Sequence, residues 1–168
     1  MQIQGQAALV TGGGSGLGEA TARELARLGA KVAVLDVNLP NAEKVAADIN
    51  AQHGDGSAVA YACDTTDTAS LQAAIAAAAA AHGPARILMN IAGIGSAKRV
   101  VAKDGSPAPL EDFAKVININ LIGTYNASRL FAALHMADMS TQARIAVAPV
   151  PQEGIGIAIN DLLIRAAA

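Results

Sequence analysis

The stretch Thr11-Gly12-Gly13-Gly14-Ser15-Gly16-Leu17-Gly18 stands between an apolar run at residues 7–11 and a segment, residues 17–28, in which Leu and Ala recur at helical spacing. That order reads as strand, glycine turn, helix. Gly12 can take the backbone angle that a tight strand-to-helix turn needs, Gly16 lets the backbone approach a pyrophosphate, and Gly18 lets the helix lie close on the sheet. The amides at the helix start then face an anion. A glycine-rich loop alone is often an ordinary turn, but here the flanking elements and an acid at the end of the next strand point to nucleotide binding. That acid is Asp36, 18 residues past Gly18. Its carboxylate can accept hydrogen bonds from the adenosine ribose hydroxyls and would repel a 2′-phosphate, so the cofactor expected is NAD rather than NADP. The blander reading is that Asp36 caps the segment that follows it, DVNLPN.

Outward from this loop, Gly29 is a helix stop and residues 31–36 (KVAVLD) form a β-branched run short enough for a buried strand. A second helix is expected over residues 40–52, broken by Gly54 and Gly56, and a third strand over residues 57–63. Residues 67–82 read as an Ala-rich helix with Leu71, Ile75 and Ala78 on one side, ended by Gly83 and Pro84, before a fourth strand at residues 86–90 (RILMN). Strands alternating with helices predict an α/β fold: a Rossmann-type doubly wound parallel sheet, covered on both faces and built with right-handed crossovers. Residues 93–109 carry three Gly and two Pro and read as a long functional or mobile loop, and residues 110–139 are helical again. The expected division is a dinucleotide-binding domain at 1–139 and an atypical tail at 140–168.

A chain of 168 residues, 52% apolar and 15% charged, is long and apolar enough for one domain with a real core. Aromatics make up only 2% while Ala occurs 40 times, so that core must be close-packed Ala, Val, Ile and Leu. A formal charge of −2 offers no basic field for a nucleic-acid backbone or an anionic membrane, which argues against both partners. The opening MQIQGQAALV lacks the positive flank and apolar run of a secretory signal, and the longest uncharged apolar stretch, residues 69–81, is 13 residues, short of a membrane span. A cytoplasmic protein is expected. The single cysteine, Cys63, reads as an apolar strand-end residue, since no cation in sequence would stabilise a thiolate. His53, His82 and His135 are far apart and suggest no metal site, and Glu111 and Asp112 read as first-turn acids on a helix entered from Pro109.

These residues resemble the short-chain dehydrogenase/reductase family. Its pattern TGxxxGxG is matched by Thr11, Gly12, Gly16 and Gly18, Cys63-Asp64-Thr65 looks like its adenine-contacting pair, and Asn90-Ile91-Ala92-Gly93 is similar to its NNAG element. Residues 118–124 (NINLIGT) resemble its VNLxGT segment, whose Asn holds a water in the proton relay and falls here on Asn120. The stretch from Ala92 to Leu130, including the long loop, is similar to the type-2 3-hydroxyacyl-CoA dehydrogenases. The resemblance implies hydride transfer between NAD(H) and a secondary alcohol or ketone such as a 3-hydroxyacyl-CoA. It places Gly12, Ser15, Gly16, Leu17 and Gly18 at the pyrophosphate, Asp36 at the ribose, Asp64 and Thr65 at the adenine, and Asn90, Ile91, Ala92 and Gly93 along the path to the nicotinamide. A small-molecule substrate and a homo-oligomer are implied with it. Lys98, Arg99 and Lys103 could meet CoA phosphates, although a solvated mixed-charge loop is the simpler reading. The chain departs from the family in one respect. The catalytic Tyr and Lys are spaced YxxxK, yet neither Tyr61 nor Tyr125 has Lys four positions on, and no Lys follows Lys115. The fold is therefore expected to be incomplete relative to the family, and a truncated or inactive NAD-binding module is the alternative.

Overall fold

The computed structural model describes residues 2–95 and 99–138, with the side chains of the final helix described as far as residue 134. The 140–168 segment expected to be a tail lies outside the described residues, as does Lys98. Four strands, β1 (Ala7–Thr11), β2 (Lys31–Asp36), β3 (Ala58–Ala62) and β4 (Ile87–Asn90), form a parallel sheet in the order β3-β2-β1-β4. Helices α1 (Gly16–Arg27), α2 (Leu39–His53) and α3 (Thr68–His82) make the crossovers. After β4 come α4 (Leu110–Ile117), a π-helical segment (Asn118–Gly123) and α5 (Thr124–Asp138). This is the doubly wound α/β architecture that the alternation predicts. Among the described residues no helix is long and apolar enough to cross a membrane.

The strand period of two divides the core. Ala8, Val10, Val32 and Val34 point to one face and pack with Ala22, Leu25, Val45 and Ile49 of α1 and α2. Ala7, Leu9, Ala33 and Leu35 point to the other and pack with Leu71, Ile75, Ala78, Ala127 and Leu130 of α3 and α5. Every residue of β1 is buried, as a central strand covered on both sides requires. The alanines on the inner helix faces let the helices sit close to the sheet, which is how a core poor in aromatics fills its volume. Helix ends follow local chemistry. The Asn38 side chain accepts from the Asn41 amide at the start of α2 (3.2 Å), and Asp67 accepts from the Ala69 amide at the start of α3 (2.9 Å).

Two features depart from the sequence expectation. The helical stretch from residue 110 is not uniform: its turn at Asn118–Gly123 is widened into a π-helix. The segment expected to be a long functional or mobile loop contains a short hairpin. Val101 bridges Pro107 in antiparallel fashion, the Ala102 amide donates to the Ser106 carbonyl (2.8 Å), and Asp104 accepts from both the amide (3.0 Å) and the hydroxyl (2.7 Å) of Ser106. These bonds hold the Asp104 carboxyl below its ordinary pKa, the Ser106 hydroxyl contributing most.

Cys63 closes β3 inside the second core face, where burial first, and then the Asp64 and Asp36 carboxylates, push its thiol up to about 12. Its ordinary value is 9.0, so the folded state holds the proton more tightly than the unfolded one. The resulting contribution to stability is whole below pH 9 and is lost as pH climbs towards 12. Alkylation by iodoacetamide at pH 8 should accordingly be slow in the native chain and fast in denaturant, and equal rates would contradict a buried thiol. Leu9, fully enclosed between the helices of the second face, should cost about 2–5 kcal/mol of unfolding free energy when replaced by Ala. Urea denaturation measures this, and a loss under 1 kcal/mol would contradict the packing described.

Candidate functional site

Parallel strands leave all their C-terminal ends on one edge of the sheet. The chain leaves β1 towards β2 on one side and returns to β4 on the other, so the edge opens at a switch point beside β1. A cavity of about 610 Å³ lies there, bounded by the glycine turn, Asp36, the loop after β3, the residues after β4, and α4 with the π segment.

The turn is built by close backbone approach. Gly12 has φ +67°, and a Cβ on it would stand 2.7 Å from Ala92 Cα and 2.8 Å from Ala92 N. A Cβ on Gly18 would overlap the Gly12 carbonyl oxygen. The Thr11 hydroxyl joins the same junction, accepting from the Ile91 (3.1 Å) and Ala92 (3.3 Å) amides and donating to the Met89 carbonyl (3.4 Å). Two of the turn's amides are used internally: Gly13 N donates to the Leu35 carbonyl (3.1 Å) and Gly14 N to Asp36 Oδ2 (2.9 Å). The first intrahelical bond of α1 runs from Glu19 N to the Ser15 carbonyl (3.1 Å). The amides of Gly16, Leu17 and Gly18 therefore precede the ladder and belong to residues that line the cavity. Ser15 precedes them as N-cap, and its hydroxyl makes no capping bond.

Asp36 ends β2 and makes the contact with the following segment that its capping reading expects. It lines the cavity, and its Oδ1 accepts from the Asn38 amide (2.9 Å) at the entry to α2. With one backbone amide on each oxygen the carboxylate is fixed in place, and each oxygen retains capacity for a further donor. Asp64 and Thr65 form the next wall with Thr66, whose amide and hydroxyl donate to Asp64 Oδ1 at 2.8 and 2.7 Å. Ile91, Ala92 and Gly93 line the opposite side.

Two expected site residues stand outside the cavity lining. The Asn90 side-chain Nδ2 donates to the Ser128 hydroxyl (3.2 Å), tying β4 to α5, and its buried Oδ1 has no partner among the described residues. Asn120 clamps the backbone of Ile94, donating from Nδ2 to its carbonyl and accepting at Oδ1 from its amide, both at 2.8 Å. A Cβ on Gly93 would lie 3.2 Å from that same Oδ1, so the absence of a side chain there admits the clamp. Arg99 and Lys103 are exposed and do not line the cavity.

Sequence reasoning missed Lys115, Asn118 and Ile119, which line the cavity from α4 and the π segment. Their signal was the spacing of 115 and 118, one helical turn apart, with Asn118 and Ile119 inside the motif that contains Asn120. Val37 and Thr66 were also missed, although each adjoins a residue that was identified.

A family model described as short chain dehydrogenase matches residues 6–148, running past 139 into residues expected to be a tail. The chain is 40% identical over 132 residues to the 3-hydroxyacyl-CoA dehydrogenase type-2 of Bos taurus, covering 77% of this chain and 48% of that protein. It is likewise 40% identical over 124 residues to the D-threitol dehydrogenase of Mycolicibacterium smegmatis, covering 74% and 45%. Among solved structures, the 3-ketoacyl-(acyl-carrier-protein) reductase of Brucella melitensis complexed with NADH aligns with a TM-score of 0.65 at 38% identity, covering 76% of this chain and 49% of that one. The chain thus spans about half the length of the relatives it matches. Its glycine turn, its sheet order and these matches agree: the chain belongs to the short-chain dehydrogenase/reductase family of oxidoreductases.

Proposed function

We propose that the chain binds NAD(H) in this cavity and that the protein transfers hydride between it and a secondary alcohol or ketone, such as a 3-hydroxyacyl-CoA. The observation that carries the reading is Asp36, a carboxylate held by the Gly14 and Asn38 amides on the wall next to the open turn of α1. The residues present fit a dinucleotide. The cavity has the size of a small-molecule site, and glycine stands at position 16, where a Cβ would meet nothing within 4 Å on the cavity side of the turn.

In this reading the amides of residues 15–18 hold the pyrophosphate with help from the α1 dipole. Asp36 accepts from the ribose hydroxyls, and its charge disfavours a 2′-phosphate, which supports NAD over NADP. Asp64 accepts from the adenine amino group, its Oδ1 steadied by Thr66. Ile91, Ala92 and Gly93 line the way to the reacting end, and Asn120 fixes Ile94 just beyond them, where the family resemblance implies the water of a proton relay. When bound, the nicotinamide supplies the hydride acceptor or donor. The substrate class rests on what the two relatives' names share, since threitol and a 3-hydroxyacyl-CoA both present a secondary alcohol. A homo-oligomer is supported by exposed apolar side chains along α4 and its continuation, including Leu110, Phe113, Leu121 and Tyr125.

Binding and turnover are separable here. The absence of YxxxK from the 168 residues favours a second reading, in which this chain holds the cofactor without supplying the general acid. Calorimetry on the 168-residue chain should give saturable NADH binding, tighter than NADPH. Asp36→Arg should weaken NADH about tenfold or more, the loss expected for a charge-assisted hydrogen bond, and erase the preference over NADPH. No heat with NADH from a folded sample would overturn the cofactor assignment, and an unchanged preference in the variant would overturn the role of Asp36. Oxidation of a 3-hydroxyacyl-CoA by this chain, followed as NADH absorbance, should run about 10²–10⁴-fold below a family member that carries YxxxK. Comparable rates would defeat the second reading.

A further inference from the structure

We propose that Asn126 is a positioning residue for the adenine side of the cofactor site, acting through Thr65; the inference rests on the NAD(H) reading above. Asn126 is buried in the first turn of α5. Its Nδ2 donates to the Thr65 carbonyl at 2.8 Å, a bond enclosed within the protein. Its Oδ1 accepts from the Thr68 hydroxyl (3.2 Å) and from Arg129 Nε (3.0 Å), and Arg129 also donates to that hydroxyl (3.0 Å). Two donors on the oxygen and a carbonyl on the nitrogen fix which way the amide faces.

Gly123 reinforces the contact from the preceding turn. A Cβ there would stand 2.5 Å from Thr65 Oγ1, so α5 reaches the loop only because that position is bare. The π segment sets this register. One extra residue in a turn rotates everything after it by about 100° relative to an uninterrupted α-helix, and the rotated face carries Gly123 and Asn126 to Thr65. Among the described residues the other bonds of the Asp64–Thr66 turn are local: Asp67 N donates to the Asp64 carbonyl (3.1 Å), Asp64 N to the Ser70 hydroxyl (3.0 Å), and Thr66 to Asp64. At the entry of the turn the Cys63 amide donates to the Asp36 carbonyl (2.9 Å), and among the described residues Asn126 is the distant hydrogen-bond partner of the turn itself, so the placement of Asp64 depends on it.

The test is the preference for adenine. Reduced nicotinamide hypoxanthine dinucleotide differs from NADH by an oxygen in place of the amino group that Asp64 would accept from. The parent chain should favour NADH by about tenfold or more, the contribution of a hydrogen bond to a charged group. Asn126→Asp keeps the side-chain shape and the bonds from Thr68 and Arg129 but sets a carboxylate oxygen against the Thr65 carbonyl. Its preference should collapse to about twofold or less, with NADH weakened far more than the hypoxanthine analogue. A merely structural role would weaken both ligands alike and leave the ratio where it was, and that result overturns the proposal. Should Asn126→Asp not fold, Arg129→Gln, at an exposed position that releases one donor from the Asn126 amide, decides the question by a smaller shift of the same ratio or none. Failure of the parent chain to bind NADH overturns the cofactor reading and this inference with it, whereas parental binding with an unmoved ratio in the variants overturns this inference alone.

Discussion

Everything at the open edge of this sheet depends on backbone meeting backbone. Around Gly12 the end of β1, the start of α1 and the residues after β4 approach so closely that no Cβ fits at position 12 or 18. Thr11 reinforces the junction by taking the Ile91 and Ala92 amides on its hydroxyl. The consequence is electrostatic. With the Gly13 and Gly14 amides consumed by β2, the donors that remain outside the α1 ladder are those of the following residues, gathered at the positive end of the helix dipole. A dinucleotide carries its two adjacent negative charges in its middle, and in the proposed NAD(H) reading these donors would meet that middle while the carboxylates of Asp36 and Asp64 stand further out.

The long helical stretch from Leu110 to Asp138 is more than a cover for the sheet. Two of its asparagine side chains grip backbone at opposite ends of the cavity: Asn120 at Ile94 and Asn126 at Thr65. The π turn carries Asn120 and ends three residues before Asn126, so its widening affects the placement of both grips. Ser128, two residues further along, takes a bond from Asn90, so the same stretch also braces β4. Lys115 and Asn118 face the cavity from its other side. One stretch of helix thus joins the wall at Thr65, the wall at Ile94 and the sheet edge.

Much of this was legible in the sequence, for identifiable reasons. Strands such as KVAVLD, buried on both faces, read as continuous β-branched runs, and the helices showed themselves by Leu and Ala at helical spacing bounded by Gly29, Gly54 and Gly83. Their bounds agree with the structure to within a residue or two. Gly12 and Gly18 were legible because the close backbone approach there admits no side chain, Asp36 by its place at the end of the second strand, and Asp64 through the family resemblance alone. The π turn was not, since the residue period of NINLIG does not separate a π turn from an α one, and its contacts lie with Ile94 and Thr65 far away in sequence. The hairpin at Val101 and Pro107 had a signal, Asp104-Gly105, that its proline-rich surroundings obscured. The inward aim of Lys115 and the engagement of Asn90 with Ser128 depend on how the last helices lie on the sheet, and periodicity does not report that.

The central claim is that the amides of residues 15–18 grip the paired phosphates. Titrating isotopically labelled protein with NADH and following each backbone amide by nuclear magnetic resonance tests it most directly. The account predicts the largest shifts at Ser15, Gly16, Leu17 and Gly18, with smaller ones at Asp64 and Thr65. Saturable binding that leaves those four amides unmoved would contradict it.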